Sequence, residues 1–261
     1  MPDRMRWGRW QRQPGGRPLV LGHRGARAEA PENTLAAFEL AARQGADGVE
    51  LDVRLDRVER VIVLHDATLE RVTGSRDFRA AESLDPKELE GVDVGGGERI
   101  PLLSDVMAWA QQRRMLVNVE LKHDVSEPGI LIQRVATVVR ANPSLRGELL
   151  LSCFDPLMVW RLARLLPEVP VGWLIHRGQW MLRHAPWWTV PGAAAIHLQA
   201  PLAQERKIGG LRKVGLLCNV WTVNSEEDAR RLSGFGVDAL ISDQPGRIVK
   251  ALAQAEDGIS S

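Results

Sequence analysis

The sequence predicts an α/β fold of the (β/α)8 class, a TIM barrel, and three observations support this prediction. Strand-like apolar segments alternate with helix-like segments from residue 18 to residue 253. The chain has 261 residues, and such a barrel needs about 250. Residues 23–27 lack the glycine-rich phosphate turn that usually opens a doubly wound sheet, which is the alternative fold. The eight strands that precede helices are predicted to end near His23, Asp52, Lys122, Phe154, Ile175, Leu198, Val223 and Ser242.

The first predicted βα unit begins with a buried strand over residues 18–23. This short apolar run is closed by glycines, which is typical of a strand that ends in a tight loop. Asn33 or Thr34 can cap the helix that follows, and Gly45 is suited to end it.

The second predicted strand covers residues 47–53 and continues into a hairpin. Side chains alternate between the two faces of a strand, so Glu50 and Asp52 share one face. Residues 61–64 form the return arm of this hairpin, which ends at His65.

Residues 66–99 interrupt the alternation of strands and helices. They contain turn-forming stretches at 73–75, 85–86 and 95–97. We therefore predict a small insertion after the first hairpin, composed mainly of loop with short helices.

The alternation resumes at residue 100, with a tryptophan-rich connection of uncertain form over 179–191. Apolar periodicity predicts helices over 104–113, 130–140, 156–166, 201–213, 225–233 and 245–253. It predicts strands over 116–122, 149–154, 169–175, 193–198, 216–223 and 237–242.

The chain divides into a basic N-terminal tail over 1–17, one barrel over 18–253 and a disordered tail over 254–261. The N-terminal tail contains arginines but no apolar core, so we expect it to be solvated. The alternative is contact with a membrane surface through Trp7 and Trp10.

Composition excludes several classes of protein. The formal net charge of +1 gives no basic field for binding nucleic acid. Cys153 and Cys218 lack Cys-x-x-Cys spacing and lie in apolar runs, which predicts buried free thiols in a reducing compartment. No apolar run approaches the roughly 18 residues of a membrane span. We therefore predict a cytoplasmic protein, with no prediction of its oligomeric state.

Polar residues at the ends of the predicted strands should meet at one mouth of the barrel, where barrel enzymes have their active sites. Three carboxylates together would repel one another, and an all-oxygen set suits Mg²⁺, Ca²⁺ or Mn²⁺ better than Zn²⁺. The alternative is a set of ion pairs with Arg24, Arg54 or Lys122. The residues predicted at the mouth are His23, Arg24, Glu50, Asp52, Glu120, Lys122, Ser152, Trp221 and Asn224.

Two histidines stand beside these carboxylates. His23 and His65 follow strands, and a pair of imidazoles can serve as acid and base near neutral pH. Arg24 and Lys122 supply positive charge that a phosphate would accept. Together with a metal ion, these groups would suit the cleavage of a phosphoester.

Six motifs resemble the glycerophosphodiester phosphodiesterase family. They read Leu-Gly-His-Arg-Gly at 21–25, Pro-Glu-Asn-Thr at 31–34, Glu-Leu-Asp-Val with Leu-His-Asp between 50 and 66, Val-Glu-Leu-Lys at 119–122, Val-Trp-Thr-Val-Asn at 220–224 and Gly-Val-Asp-Ala-Leu-Ile-Ser-Asp at 236–243. The resemblance covers roughly residues 18–250 and implies a (β/α)8 barrel with a small insertion. It also implies metal-dependent hydrolysis of glycerophosphodiesters to glycerol 3-phosphate and an alcohol.

The resemblance implies specific roles for matching residues. His23 and His65 would be the acid–base pair, and Arg24 and Lys122 would hold the phosphate, while Trp221 would flank the glycerol or the phosphate. The adjacent glycerol hydroxyl would attack phosphorus, and water would open the resulting cyclic phosphate. One divalent cation, Mg²⁺ or Ca²⁺ with Mn²⁺ as a further option, would bind Glu50, Asp52 and Glu120.

Other functions fit parts of the same sequence. Trp173, Trp180, Trp187 and Trp188, with Arg177, Arg183 and His184 nearby, would suit a bilayer interface or an acyl chain. A lysophospholipase D-type or sphingomyelinase D-type enzyme is therefore an alternative. A barrel that binds phosphodiesters without catalysis is another alternative, although it would be expected to lose a histidine or a ligand carboxylate.

One turn departs from the family's usual sequence, and two residues of the Pro-Glu-Asn-Thr motif are given no catalytic role. Val58 and Glu59 stand where the family usually has Asp-Gly, which predicts a turn that does not rely on positive φ. Glu32 is expected to pair with Arg24, and capping accounts for Asn33.

Overall fold

The computed structural model describes residues 4–179 and 191–257, with side chains over 7–179 and 191–254. The strands are β1 (Leu19–His23), β2 (Gly48–Leu55), β3 (Val61–Val63), β4 (Leu116–Leu121), β5 (Leu149–Cys153), β6 (Val171–Ile175), β7 (Ala195–Gln199), β8 (Leu217–Trp221) and β9 (Ala239–Ser242). The helices are α1 (Leu35–Arg43), α2 (Pro86–Glu90), α3 (Leu103–Arg113), α4 (Pro128–Ala141), α5 (Pro156–Leu165), α6 (Glu205–Lys213), α7 (Glu226–Phe235) and α8 (Pro245–Asp257).

Eight parallel strands close into a barrel. They follow the order β1-β9-β8-β7-β6-β5-β4-β2, and a parallel pairing of β1 with β2 completes the ring. The strand alternation set by the pleat places Val49, Leu51 and Val53 in the main apolar core, while Glu50 and Asp52 belong to the opposite face of β2. The predicted barrel is therefore confirmed.

The hairpin after β2 contains β3, which pairs antiparallel with β2 outside the closed ring. Its turn is tied by a hydrogen bond from the Glu59 amide to the Asp56 carbonyl at 3.0 Å. Glu59 has a φ of 65°, so a non-glycine residue occupies the left-handed region. The expectation of a turn without positive φ is wrong, and the Asp56 carboxylate stabilises the turn by accepting hydrogen bonds from the amides of Val58 and Arg60.

The insertion after the hairpin contains short helices, as predicted, and shares a small apolar core with the hairpin. It contains a 3₁₀ turn (Ala81–Ser83) and α2, which begins with a capping box between Asp85 and Glu88. Its buried apolar cluster consists of Ile62, Leu64, Leu69, Ala81, Leu84, Leu89 and Val92.

The N-terminal segment packs against the barrel end opposite the mouth. Trp10 is only 1% exposed, and Arg12 donates a hydrogen bond to the Ser233 carbonyl at 2.6 Å. The expected solvation is therefore wrong for these residues, because the open barrel end offers Trp10 an apolar surface to cover. The strand residues in its cluster are Leu21, Leu116, Leu150, Ala195, Leu217, Ala239 and Ile241.

Predicted buried residues in the second half of the chain are confirmed. Trp173 is buried and donates a hydrogen bond to the Phe154 carbonyl at 3.1 Å, which confirms a packing role. Cys153 and Cys218 are buried free thiols, as predicted.

Helix α8 extends to Asp257, so the predicted disordered tail does not begin at residue 254. Trp180, Trp187, Trp188, Arg183 and His184 lie outside the described residues.

Candidate active site

Three buried carboxylates meet at the mouth of the barrel. Strand β2 contributes Glu50 and Asp52, and β4 contributes Glu120, which is the register partner of Asp52. One oxygen from each carboxylate lies within 4.8 Å of the others, and the three residues are 4%, 1% and 8% exposed. This all-oxygen arrangement fits a hard divalent cation.

The electrostatics of this cluster favour a bound cation. Burial, followed by the charges of Asp52 and Glu120, raises the pKa of Glu50 well above its usual value. Burial and then Asp52 raise the pKa of Glu120 to about 7. By contrast, Lys122 and Arg24 outweigh burial at Asp52 and hold its pKa below the usual range. Two of the three carboxylates are thus unfavourable as anions without additional positive charge.

Two of the three cations suggested by the ion-pair alternative do contact the cluster. Lys122 Nζ lies 2.8 Å from a Glu120 oxygen and 3.3 Å from an Asp52 oxygen. Arg24 Nε lies 3.2 Å from an Asp52 oxygen. Arg54 instead pairs with Asp124. Two cations face three carboxylates, so the ion pairs leave room for a metal ion in the charge balance.

Both predicted catalytic histidines lie at the mouth, and each has an aspartate behind it. His23 Nδ1 lies 2.6 Å from an Asp243 oxygen, and His65 Nδ1 lies 2.5 Å from an Asp66 oxygen. This pairing leaves Nε2 of each ring available, and Nε2 of His23 is 4.0 Å from a Glu50 oxygen. Burial is the largest influence on both rings and lowers the pKa of each, although the aspartates oppose it.

Arg24 is held in place by its backbone and its side chain. Its φ is 54°, and its amide donates to a Glu50 oxygen at 3.1 Å. Its Nη1 donates to Glu32 at 2.9 Å, so the expected pairing of Arg24 with Glu32 is present.

Asn33 has a different role from the predicted cap. Thr34 caps α1, because its hydroxyl accepts a hydrogen bond from the Ala37 amide at 3.2 Å. Asn33 instead adopts a φ of 58° and donates from Nδ2 to an Asp52 oxygen at 3.0 Å. The interpretation that capping alone explains Asn33 is wrong, since its side chain orients a carboxylate of the site.

A cavity opens at this mouth and combines charged groups with apolar walls. Trp221 donates a hydrogen bond to the His197 carbonyl at 3.2 Å, and its ring lies 5.6 Å from that of Phe154. Asn118 is 1% exposed, and neither polar atom of its amide has a protein partner, so it offers hydrogen bonds to a polar ligand or water. The lining residues are His23, Arg24, Glu50, His65, Asn118, Glu120, Lys122, Phe154, Leu174, Trp221 and Ile241.

The structure therefore brings together at one mouth the eight residues to which the resemblance gave a role, which are His23, Arg24, Glu50, Asp52, His65, Glu120, Lys122 and Trp221. Asn224 donates to Asp243 at 2.7 Å, whereas Ser152 is fully buried. Sequence reasoning gave no role to Asp66 or Asp243, although both end motifs that it had singled out. Arg71, which contacts Asp66 and Glu32, was also missed.

Comparison with known proteins shows the family to which this chain belongs. A family model described as the glycerophosphoryl diester phosphodiesterase family matches residues 23–247. The chain belongs to this family. A relative, the glycerophosphodiester phosphodiesterase of Caldanaerobacter subterraneus subsp. tengcongensis, is 31% identical over 241 residues, which cover 88% of this chain and 96% of that one. The predicted family and the prediction of a phosphodiesterase enzyme are confirmed.

Solved structures of two phosphodiesterases are similar to this barrel. A phosphodiesterase of Oleispira antarctica, in complex with the product sn-glycerol-3-phosphate, has a TM-score of 0.79 and 27% identity, covering 91% of this chain and 97% of that chain. A glycerophosphodiester phosphodiesterase of Agrobacterium tumefaciens has a TM-score of 0.75 and 27% identity, covering 89% and 99% respectively. Within the described residues, no helix has the length and apolar character needed to cross a bilayer.

Proposed function

We propose that this protein hydrolyses glycerophosphodiesters to glycerol 3-phosphate and an alcohol in a reaction that requires a divalent cation. The main support is the convergence of three carboxylates and two aspartate-backed histidines on one cavity. The structurally similar phosphodiesterase that was solved with sn-glycerol-3-phosphate supports the same substrate class.

Glu50, Asp52 and Glu120 would hold the cation. When bound, it would supply positive charge to the phosphate oxygens and so stabilise the charge that develops during phosphoryl transfer. Asn33 would keep the Asp52 carboxylate oriented through its hydrogen bond at 3.0 Å. The identity of the ion, Mg²⁺, Ca²⁺ or Mn²⁺, is an outcome of the experiment below.

Arg24 and Lys122 would bind the phosphate oxygens of the substrate. Both side chains line the cavity and already contact the carboxylate cluster. Their positive charge would favour a phosphodiester anion at the mouth. Trp221 and Phe154 form an apolar wall that would flank the glycerol carbons.

His23 and His65 would exchange protons with the substrate. One neutral imidazole would accept the proton of the adjacent glycerol hydroxyl as its oxygen bonds to phosphorus. The other, protonated, would donate to the leaving alcohol oxygen as its bond to phosphorus breaks. Water would then attack the cyclic phosphate. The imidazole that had donated its proton would accept one from this water, and the other would return its proton to the glycerol oxygen as that oxygen leaves phosphorus. Asp243 and Asp66 would hold each ring with Nε2 free for these transfers.

The experiment is the release of glycerol 3-phosphate from glycerophosphocholine after chelation and after restoring Mg²⁺, Ca²⁺ or Mn²⁺ separately. We expect no release in chelator and restored release with at least one ion. Lysophosphatidylcholine, the acylated form of glycerophosphocholine, is assayed in parallel by the release of choline to test the lipid alternative. Release from neither substrate with any ion would overturn the proposal and favour a barrel that only binds phosphodiesters. Release that persists in chelator would overturn the metal requirement.

A further inference from the structure

Glu32 lies beside the cavity and binds several arginines at once. Its carboxylate accepts a hydrogen bond from Arg24 at 2.9 Å and two from Arg71 at 2.7 and 2.8 Å. Arg27 lies 3.8 Å from the same carboxylate. The Glu32 side chain is 11% exposed, so these contacts are partly shielded from water.

Arg71 comes from the insertion and joins two carboxylates. Its Nη1 and Nη2 bind Glu32 in the two-pronged geometry that suits a guanidinium. Its Nε donates to an Asp66 oxygen at 2.6 Å. The other Asp66 oxygen lies 2.5 Å from Nδ1 of His65. A single side chain thus contacts both the aspartate behind a histidine and the glutamate beside Arg24.

These contacts form a continuous path from one side of the cavity to the other. The path runs through His65, Asp66, Arg71, Glu32 and Arg24. Its two ends line the cavity, whereas its three middle residues do not. The relative position of the imidazole and the guanidinium therefore depends on residues outside the cavity.

We propose that Arg71 is a positioning residue that sets His65, through Asp66, relative to Arg24, through Glu32. This inference rests on the function proposed above for His65 and Arg24. Lysine cannot take this role, because one ammonium group lacks the planar set of donors that binds two carboxylates in fixed directions.

Anchoring the insertion is the other explanation for Arg71, and two observations weigh against it. Leu69 and Leu84 of the insertion share an apolar cluster with Ile62 of the hairpin, so apolar packing already anchors the insertion without Arg71. The Arg71 side chain is 45% exposed, and ion pairs at such positions contribute little to the free energy of unfolding.

The test compares Arg71→Met with Arg79→Met in the full-length protein with its cation. Arg79 is a matched control, because it is 47% exposed, lies in the same insertion and pairs with Asp77 and Glu88. We expect kcat on glycerophosphocholine to fall roughly 10–100-fold in Arg71→Met, as is typical when a group that orients an active-site side chain is lost. Arg79→Met should keep wild-type kcat, and both variants should melt near the wild-type midpoint.

Paired variants separate positioning from general damage. If Arg71 acts through Asp66 and Glu32, adding Asp66→Asn or Glu32→Gln to Arg71→Met should lower kcat little beyond the worse single variant. Losses that multiply would overturn the proposal. Arg71→Lys keeps the positive charge and is the variant to use if Arg71→Met does not fold. Its kcat should remain well below that of wild type. Wild-type kcat in Arg71→Lys would also overturn the proposal.

His65→Ala distinguishes this inference from the function on which it rests. If His65→Ala turns over normally, the proposed catalytic role fails and the positioning role fails with it. If His65→Ala is inactive while Arg71→Met turns over like Arg79→Met, the positioning role alone is wrong.

Discussion

The two ends of this barrel are lined by opposite kinds of side chain. At the end opposite the mouth, Trp10 and apolar strand residues form a buried apolar cluster. At the mouth, buried carboxylates face Arg24 and Lys122. Strand β4 shows the change within one face, since Leu116 lies in the apolar cluster, Asn118 lies in the middle and Glu120 stands at the mouth.

The difference separates stability from chemistry along one axis. Covering apolar surface stabilises the fold. Burying like charges opposes it, and the raised pKa values of Glu50 and Glu120 report that cost. Substitutions at the apolar end should therefore lower stability and spare turnover. Substitutions at the mouth should lower turnover and spare stability.

The largest expected effect is at the mouth. His65→Ala should lower turnover of glycerophosphocholine by roughly two to four orders of magnitude, because a proton-transfer group is lost. Its unfolding midpoint should stay near that of the wild type, since the side chain is 30% exposed. Turnover assays and thermal melts on the same preparation check this. Near-normal turnover would contradict the assignment of His65.

At the apolar end, Trp10→Ala should lower the free energy of unfolding by about 3–5 kcal/mol, because it leaves a cavity under the barrel. Turnover per folded molecule should be retained. Urea unfolding measures the loss, with Trp160→Ala as a control because Trp160 is 37% exposed on α5. Equal losses in both variants would show that Trp10 does not close the barrel.

Between the two ends, His197 predicts a pH effect of smaller size. Burial lowers the pKa of His197 to about 3, against 6.5 as its ordinary value. Below pH 6.5 the unfolded chain binds a proton that the folded protein does not, so stability is complete above that pH and falls on acidification. From pH 7.5 to pH 5, wild type should lose about 2 kcal/mol more than His197→Gln in urea unfolding. Parallel losses would contradict this.

The sequence predicted most of the barrel and the site residues that lie at its mouth. Alternation in β2 is a local pattern, so it placed Glu50 and Asp52 on one face correctly. The contact between Asn33 and Asp52 depends on a positive φ at Asn33 that no local pattern indicates. The contact of Arg71 with Glu32 joins residues 39 positions apart in the chain, so spacing could not reveal it.

The N-terminal segment escaped prediction for a similar reason. Trp10 is buried because a ring of strand residues presents an apolar surface, which exists only after the barrel has closed. Its own neighbours in the sequence are mostly polar and arginine-rich, and they carry no periodic signal.

The most direct measurement is the thermal unfolding of wild type and Glu50→Gln at pH 8, each with and without a divalent cation. Glutamine keeps the shape of Glu50 but has no carboxyl group. On folding at pH 8, wild type must either bury the Glu50 charge or take up a proton, and either one lowers its stability. Without cation, Glu50→Gln should therefore melt at least about 3 °C above wild type. The cation should raise the wild-type midpoint and have little effect on the variant. A variant that melts lower without cation, or an equal cation effect on both proteins, would contradict a mouth built to bind metal at the expense of stability.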